Sequence, residues 1–268
     1  MNAQRSSCVR RGRAPRSAGF TLIEMAVVIF VMALILGSIL VPLSTQVEQR
    51  QTTDTLRQLE EIKEALVGFA VAQTAVRLPC PDKTVATGAG TPNDGVEDVD
   101  AGTGTCVREE GNVPWVSLGL PAVDPWGNRY RYRVSPAFAQ LAPASPFGFA
   151  TQGTLRVCSA STCAVGEAVT EVPPSLNAAV AVLLSHGPNG WGAISAGTNA
   201  LVLPPGCATA AGCAAISNNE IANADDTIAF VSRPPSPSAS AVGEFDDIVI
   251  WLSPHVLKQR LVAAGKLP

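Results

Sequence analysis

Residues 19–43 read GFTLIEMAVVIFVMALILGSILVPL. One acid, Glu24, stands near the start of this apolar run, and positions 25–43 hold nineteen residues without a charge. As an α-helix, nineteen residues rise about 28 Å, enough to cross the hydrocarbon core of a bilayer. A carboxylate inside such a segment costs roughly 2.5–3.5 kcal/mol on insertion scales, so Glu24 is expected to have a partner. Residues 1–19 carry Arg5, Arg10, Arg11, Arg13 and Arg16 and no acid. By the positive-inside rule these stay in the cytoplasm, and the carboxyl-terminal bulk faces the other side. An ordinary secretory signal ends its apolar run at a small-residue cleavage site. Here the small pair Ala18-Gly19 precedes the run, and a polar helical pattern succeeds it.

The string GFTLIEMAVVIFVMALI resembles the amino terminus of type IV pilins and type II secretion pseudopilins. The resemblance implies that a prepilin peptidase cuts between Gly19 and Phe20 on the cytoplasmic side and that Phe20 is then N-methylated. Glu24 becomes the fifth residue of the mature chain, where the family has its acid. There it neutralises the free amine of the neighbouring subunit's first residue during assembly. A carboxylate and an ammonium that are each costly alone in low dielectric offset one another as a pair. Pro42 falls where many members carry a helix-bending proline. A plain single-pass anchor, with Glu24 snorkelling at the interface, is the other reading of the run. The implied partners are prepilin peptidase, other pilin or pseudopilin subunits and the inner-membrane assembly machinery. The implied location is the bacterial inner membrane in a single pass, with a periplasmic carboxyl-terminal domain, and later a pseudopilus or pilus.

Composition sets limits on the remainder of the chain. The 268 residues include only 15% charged side chains, with 23 Gly and 21 Pro, a balance that favours strands and loops over a helix bundle. The net charge is −3; setting aside the five leader arginines leaves 14 bases against 22 acids, about −8. Such a balance makes the exported part a poor general binder of polyanions. Of seven cysteines, Cys8 lies in the leader. The other six, Cys80, Cys106, Cys158, Cys163, Cys207 and Cys213, form an even set beyond the apolar run, as disulfides in an oxidising compartment would. Chain proximity favours Cys158–Cys163 and Cys207–Cys213, which leaves Cys80–Cys106. The spacings are not paired C-x-x-C, and neither His186 nor His255 is near a cysteine in sequence, so zinc is the weaker alternative.

The expected organisation is a basic leader over 1–19, a transmembrane and filament-core helix over 20–43, its amphipathic continuation over 44–78, and a β-rich domain over 79–268. In the continuation, Leu56, Leu59, Ile62, Leu66 and Phe69 recur at steps of three and four, so one face should dock on the chain's own domain. The expected fold class is α+β and pilin-like: a long amino-terminal helix packed on an antiparallel sheet, with long disulfide-stapled loops.

Within the domain, the turn-rich loop between Cys80 and Cys106 clusters Asp94, Glu97, Asp98 and Asp100. These offer the oxygen ligands that calcium takes, although the string is not an EF-hand pattern. Major pseudopilins do bind calcium; a solvated acidic loop is the other reading. The turn DPWGN at 124–128 precedes an alternating segment, 129–134, with Tyr130, Tyr132 and Val134 inward. This string is similar to the D-P-W-G-x-x-Y-x-Y element of major pseudopilins. On the opposite face Arg129, Arg131 and Arg133 form a stripe, expected to face solvent; the alternative is contact with nucleic acid phosphates. GTLRVCSASTCAV at 153–165 predicts a hairpin, and residues 177–185 a buried strand. Ser185 and His186 are adjacent, but neighbouring strand residues point to opposite faces and no G-x-S-x-G elbow is present. At the carboxyl end the sequence predicts a strand over 245–252, an N-cap at Ser253, Pro254 at the first helical position and a C-cap at Gly265. Val256, Leu257 and Leu261 form the expected apolar side of that helix.

The enlarged domain departs from major pseudopilins and suits a minor subunit. Two function classes are open: a filament subunit whose mechanism is assembly, or a tip module binding DNA, a surface or secretion cargo. An enzyme is not expected, since no nucleophile–base set, phosphate loop or metal-ligand spacing is found.

Overall fold

The computed structural model describes residues 19–141, 147–164 and 166–267, with the side chains of 38–45 left aside. The leader, with Cys8 and its five arginines, lies outside the described residues. The chain divides into two compact units after Gln49. The first contains the start of helix α1 (Leu22–Ala72). Apart from Glu24 in the first turn, its described side chains up to position 37 are apolar or small and exposed, the large ones from Leu22 at 89% to Val31 at 44%. A helix apolar all round belongs inside something else. Among the described residues no helix is long and apolar enough to cross a membrane. The span expected over 20–43 runs into 38–45, whose side chains lie outside the described residues.

The second unit holds the rest of α1 and the remaining regular elements, arranged around one sheet. In chain order they are β1 (Val99–Asp100), β2 (Thr105–Cys106), β3 (Glu110–Asn112), α2 (Trp115–Leu118), β4 (Arg131–Val134), a short 3-10 turn (Pro136–Phe138) and β5 (Arg156–Cys158). Then come β6 (Ala181–Ser185), α3 (Asn218–Ala224), β7 (Ala229–Val231), β8 (Ile248–Leu252) and α4 (Pro254–Ala263). The main sheet is antiparallel in the order β3-β4-β6-β8. Its strands alternate between two cores with the period of two that a pleat imposes. Tyr132, Val134, Ala181, Leu183 and Leu252 face Leu59, Ile62, Leu66 and Ala70 of α1 and Leu257 and Leu261 of α4. Val182, Leu184 and Val249 face Leu155, Val157 and Phe230 from the β5–β7 ribbon.

Three local expectations change. On α1, Leu56 is 44% exposed, and the seam instead uses Leu59, Ile62, Leu66, Val67 and Ala70. The helix ends at Ala72; Leu78, which precedes Pro79, is extended, its amide donating to the Phe138 carbonyl at 2.7 Å. On α4, Val256 is exposed and Lys258 is buried in its place, its ammonium donating to the carbonyls of Phe149 (2.8 Å) and Thr151 (2.9 Å). β5 pairs in parallel with β7, and the return side of the hairpin expected at 153–165 lies later, at 167–170, with an antiparallel bridge from Cys158 to Ala168 and hydrogen bonds from the Ser159 amide to the Glu167 carbonyl and from the Val169 amide to the Val157 carbonyl. The other α4 signals are realised: the Ser253 side chain accepts from the His255 amide, Pro254 opens the helix, and Gly265 comes after it at φ +68°.

The cysteine pairs Cys80–Cys106, Cys158–Cys163 and Cys207–Cys213 are bonded. Their separations are 26, 5 and 6 residues. On the chain-entropy account, the long loop gives roughly 1.3–1.5 kcal/mol more than either short one. Replacing Cys80 and Cys106 together by Ser should therefore lower unfolding stability in denaturant titrations by more than replacing either short-loop pair.

Candidate functional site

At the amino-terminal motif, Gly19 and Phe20 are exposed and non-helical, and α1 begins just beyond. The Thr21 amide and hydroxyl both donate to the Glu24 carboxylate at 2.8 Å, and the Glu24 amide donates back to the Thr21 hydroxyl at 3.3 Å. This reciprocal T-x-x-E arrangement is a capping box. In the single chain, then, Glu24 is occupied by the start of its own helix. The signal is in the sequence as Thr21 and Glu24 before an apolar run, although the cost of burying an acid points to a partner outside the chain. Among the described residues, a side chain at Gly19 would meet nothing within 4 Å, and Phe20 is 81% exposed.

Ser185 and His186 diverge. The Ser185 hydroxyl donates to Asp124 at 2.7 Å, while the His186 Nδ1 stands 3.3 Å from Asp247 Oδ1 on the other side. They form no nucleophile–base pair. His186 lies instead in a buried acidic cluster that sequence reasoning missed. It joins three segments distant in sequence: the turn after β6, the helix α3 and the approach to β8. The Asn189 amide donates to Asp246 (3.0 Å), its side chain to Glu220 (3.0 Å), and Asn223 to Asp247 (2.8 Å). Gly187 makes the crossing possible: at φ +60°, a Cβ would stand 2.4 Å from the Asp246 carbonyl. Burial, with Asp247 nearby, pushes Glu220 up to about 8. Burial, opposed by the Asn189 amide and reinforced by Asp247 and Glu244, pushes Asp246 up to about 7. Both carboxyls therefore keep protons near neutrality that an exposed acid would lose.

The acids of the 80–106 loop do not converge. Glu97 accepts from the two terminal guanidinium nitrogens of Arg77, each at 2.7 Å. Asp98 accepts from the Lys83 amide, Asp94 from the Val96 amide and Asp100 from the Gly102 amide. Among the described residues no group of three or more His, Cys, Asp or Glu is placed to hold a metal ion. The carboxylates serve as acceptors that fix the loop's own backbone.

The arginine stripe is not solvent-facing. Arg129 and Arg133 are 8% and 6% exposed. The β5–β7 ribbon and α3 cover this face of the sheet, a cover that strand alternation alone does not reveal. The arginines are matched with acids from neighbouring segments. Glu110, cross-strand from Arg133, bonds Arg133 at 2.6 Å and also contacts Arg131. Asp226 binds Arg133 and Arg108, each at 2.7 Å. Arg129 lies over the Trp115 ring, 4.0 Å from its centroid, and donates to Asn199 at 2.8 Å.

A family model described as the prokaryotic N-terminal methylation motif matches residues 15–40. The match supports the type IV pilin and pseudopilin superfamily and implies a substrate of prepilin peptidase that assembles with other pilin subunits. It points to a structural subunit rather than an enzyme. No curated protein and no solved structure matches the chain.

The acidic cluster gives a pH dependence with a definite sign. The ordinary values are 4.5 for Glu220 and 3.8 for Asp246, so between roughly pH 4 and pH 7–8 the native chain holds two protons that the unfolded chain releases. Stability should be full at the acid end of that window and fall as pH rises through it. The fall is at most about 1.4 kcal/mol per pH unit for each proton. Thermal unfolding across this window, in chelator-containing buffer, should show a declining Tm, and Glu220→Gln should flatten the decline. A Tm that rises instead would contradict the assignment.

Proposed function

We propose that this chain is a pilin-like filament subunit, acting as a minor component of a type II secretion pseudopilus or a type IV pilus. Prepilin peptidase cuts between Gly19 and Phe20, Phe20 is N-methylated, and residues 20–43 anchor the chain in the inner membrane. The carboxyl-terminal domain then stands in the periplasm and is carried on the filament. The observation that carries this reading is the methylation motif at residues 15–40, with an exposed Gly19–Phe20 pair in front of a helix that is capped by Glu24 and otherwise apolar at its start. Burial explains why such a helix seeks company: each large apolar side chain removed from water contributes about 1.5–3 kcal/mol. Three bonded cysteine pairs fit an oxidising compartment. The size of the domain supports a minor position, because long loops crowd a surface that a major subunit must repeat closely.

Glu24 has two successive roles in this mechanism. In the precursor it closes the capping box with Thr21. After cleavage it meets the new amino group of the neighbouring subunit's Phe20 as subunits pack. Mass spectrometry of the chain extracted from its native membrane should find a mature form starting at Phe20 with one added methyl. Gly19→Leu should leave the uncut precursor with the domain folded. Glu24→Ala should be cut and methylated yet fail to enter filaments, and it removes the capping bonds from Thr21. A wild-type chain that still begins at Met1 in cells with active prepilin peptidase would reject the reading.

A further inference from the structure

The four arginines at the covered face of the main sheet are not equally matched. Glu110 gives one carboxylate oxygen to Arg131 and the other to Arg133. Asp226 likewise gives one oxygen to Arg133 and one to Arg108. Arg129 is left over. Among the described residues no carboxylate stands within ion-pair distance of it, although it is 8% exposed. Its stacking on the Trp115 ring and its one hydrogen bond to Asn199 leave most of its five donors unused. Its Nε is buried without a hydrogen-bond partner, as are those of Arg131, Arg133, Arg156 and Arg233. Burial lowers the proton affinity of Arg129, opposed by the charge of Asp82, which stands beyond ion-pair distance.

Arg129 and Arg131 line the same partly enclosed cavity of about 160 Å³, together with Arg108, Asn112, Glu110 and Asp226. At about 30 Å³ of liquid volume per water, that is room for roughly five waters. The two acids in the lining are shared by Arg108, Arg131 and Arg133, with Glu109 a further partner of Arg133 at 3.6 Å, so Arg129 adds a positive charge with no carboxylate of its own in the lining. Arg108, 42% exposed at its side chain, reaches the same cavity from the solvent side.

We propose that this cavity binds a small oxyanion, a carboxylate or phosphate group, with Arg129 supplying the uncompensated charge. The Arg129 guanidinium donates to it, and Arg108 closes the mouth. Guanidinium groups suit this work because their planar donors match carboxylate and phosphate oxygens. The cavity is too small for a nucleic acid strand to lie in, so the ligand is a small acid or a single anionic group.

The test uses the full chain in detergent, titrated calorimetrically with inorganic phosphate and separately with succinate. At least one should bind saturably, and the stronger of the two identifies the phosphate or carboxylate form of the site. Arg129→Gln should weaken that binding at least about tenfold, as loss of a charged hydrogen bond does, and Arg129→Lys should restore only part of it. Because Arg129 also packs on Trp115, Arg108→Gln at the exposed mouth provides a second variant in a domain whose packing is untouched. It should weaken binding a few-fold, with the same thermal unfolding as wild type in anion-free buffer. Absence of saturable binding of both anions to the wild-type chain would overturn the proposal, as would wild-type affinity in the Arg108→Gln variant. Arginine-dependent retention of a single-stranded oligonucleotide that phosphate does not displace would overturn it in favour of a surface phosphate contact.

Discussion

Strand β6 is buried from end to end, and a strand buried on both faces needs a layer on each side of its sheet. On one side the layer is α1 with α4. On the other it is the β5–β7 ribbon. The rest of the domain can be understood as what this demand requires. The first layer comes from the start and the end of the chain, so the sheet closes only when α4 returns to lie beside the same core as α1. The second layer is made from long excursions between strands. These carry two of the three disulfides, as expected where loops must hold a shape with little apolar core of their own.

Covering the second face has an electrostatic cost. Arg131 and Arg133 alternate with Tyr132 and Val134 along β4, so once Tyr132 and Val134 are inward the arginines point into the second layer. A buried guanidinium without a partner costs several kcal/mol. The fold meets this with Glu110 directly across the ladder from Arg133 and with Asp226 from beyond α3. The charges are therefore internal to the domain and unavailable as a broad basic stripe. The acidic cluster on the far side of α3 works by a different route, retaining protons in place of counter-charges.

Local signals are legible in the sequence wherever they depend on near neighbours. The α4 cap at Ser253 and Pro254, the inward set Tyr130, Tyr132 and Val134, the buried run of β6 and the short-range cysteine pairs can be read from the sequence alone. Legibility fails where the answer lies in distant chain. The burial of Arg129 and Arg133 depends on an insertion covering a sheet face that period-two alternation cannot see. The β5–β7 pairing is parallel and joins segments more than seventy residues apart, with no turn to announce it. The placement of Glu220, Asp246 and His186 around one point likewise needs the tertiary fold. The capping box of Thr21 and Glu24 is different, since its signal is local and present; the cost of burying an acid draws attention away from it.

The join between α1 and the sheet domain has a mechanical consequence. Tension along the helix is taken first by the packed seam of Leu59, Ile62, Leu66 and Ala70, and beyond it by residues 73–80. At that point Arg77 is held bidentately by Glu97, and Cys80 is tied covalently to Cys106. Peeling the segment away would therefore stop at Cys80, because the 26-residue loop behind the bond cannot lengthen. The load instead passes across the disulfide towards Cys106 and the neighbouring β3, whose ladder hydrogen bonds are pulled together in shear. Behind the packed seam, the chain is thus a tether of fixed length.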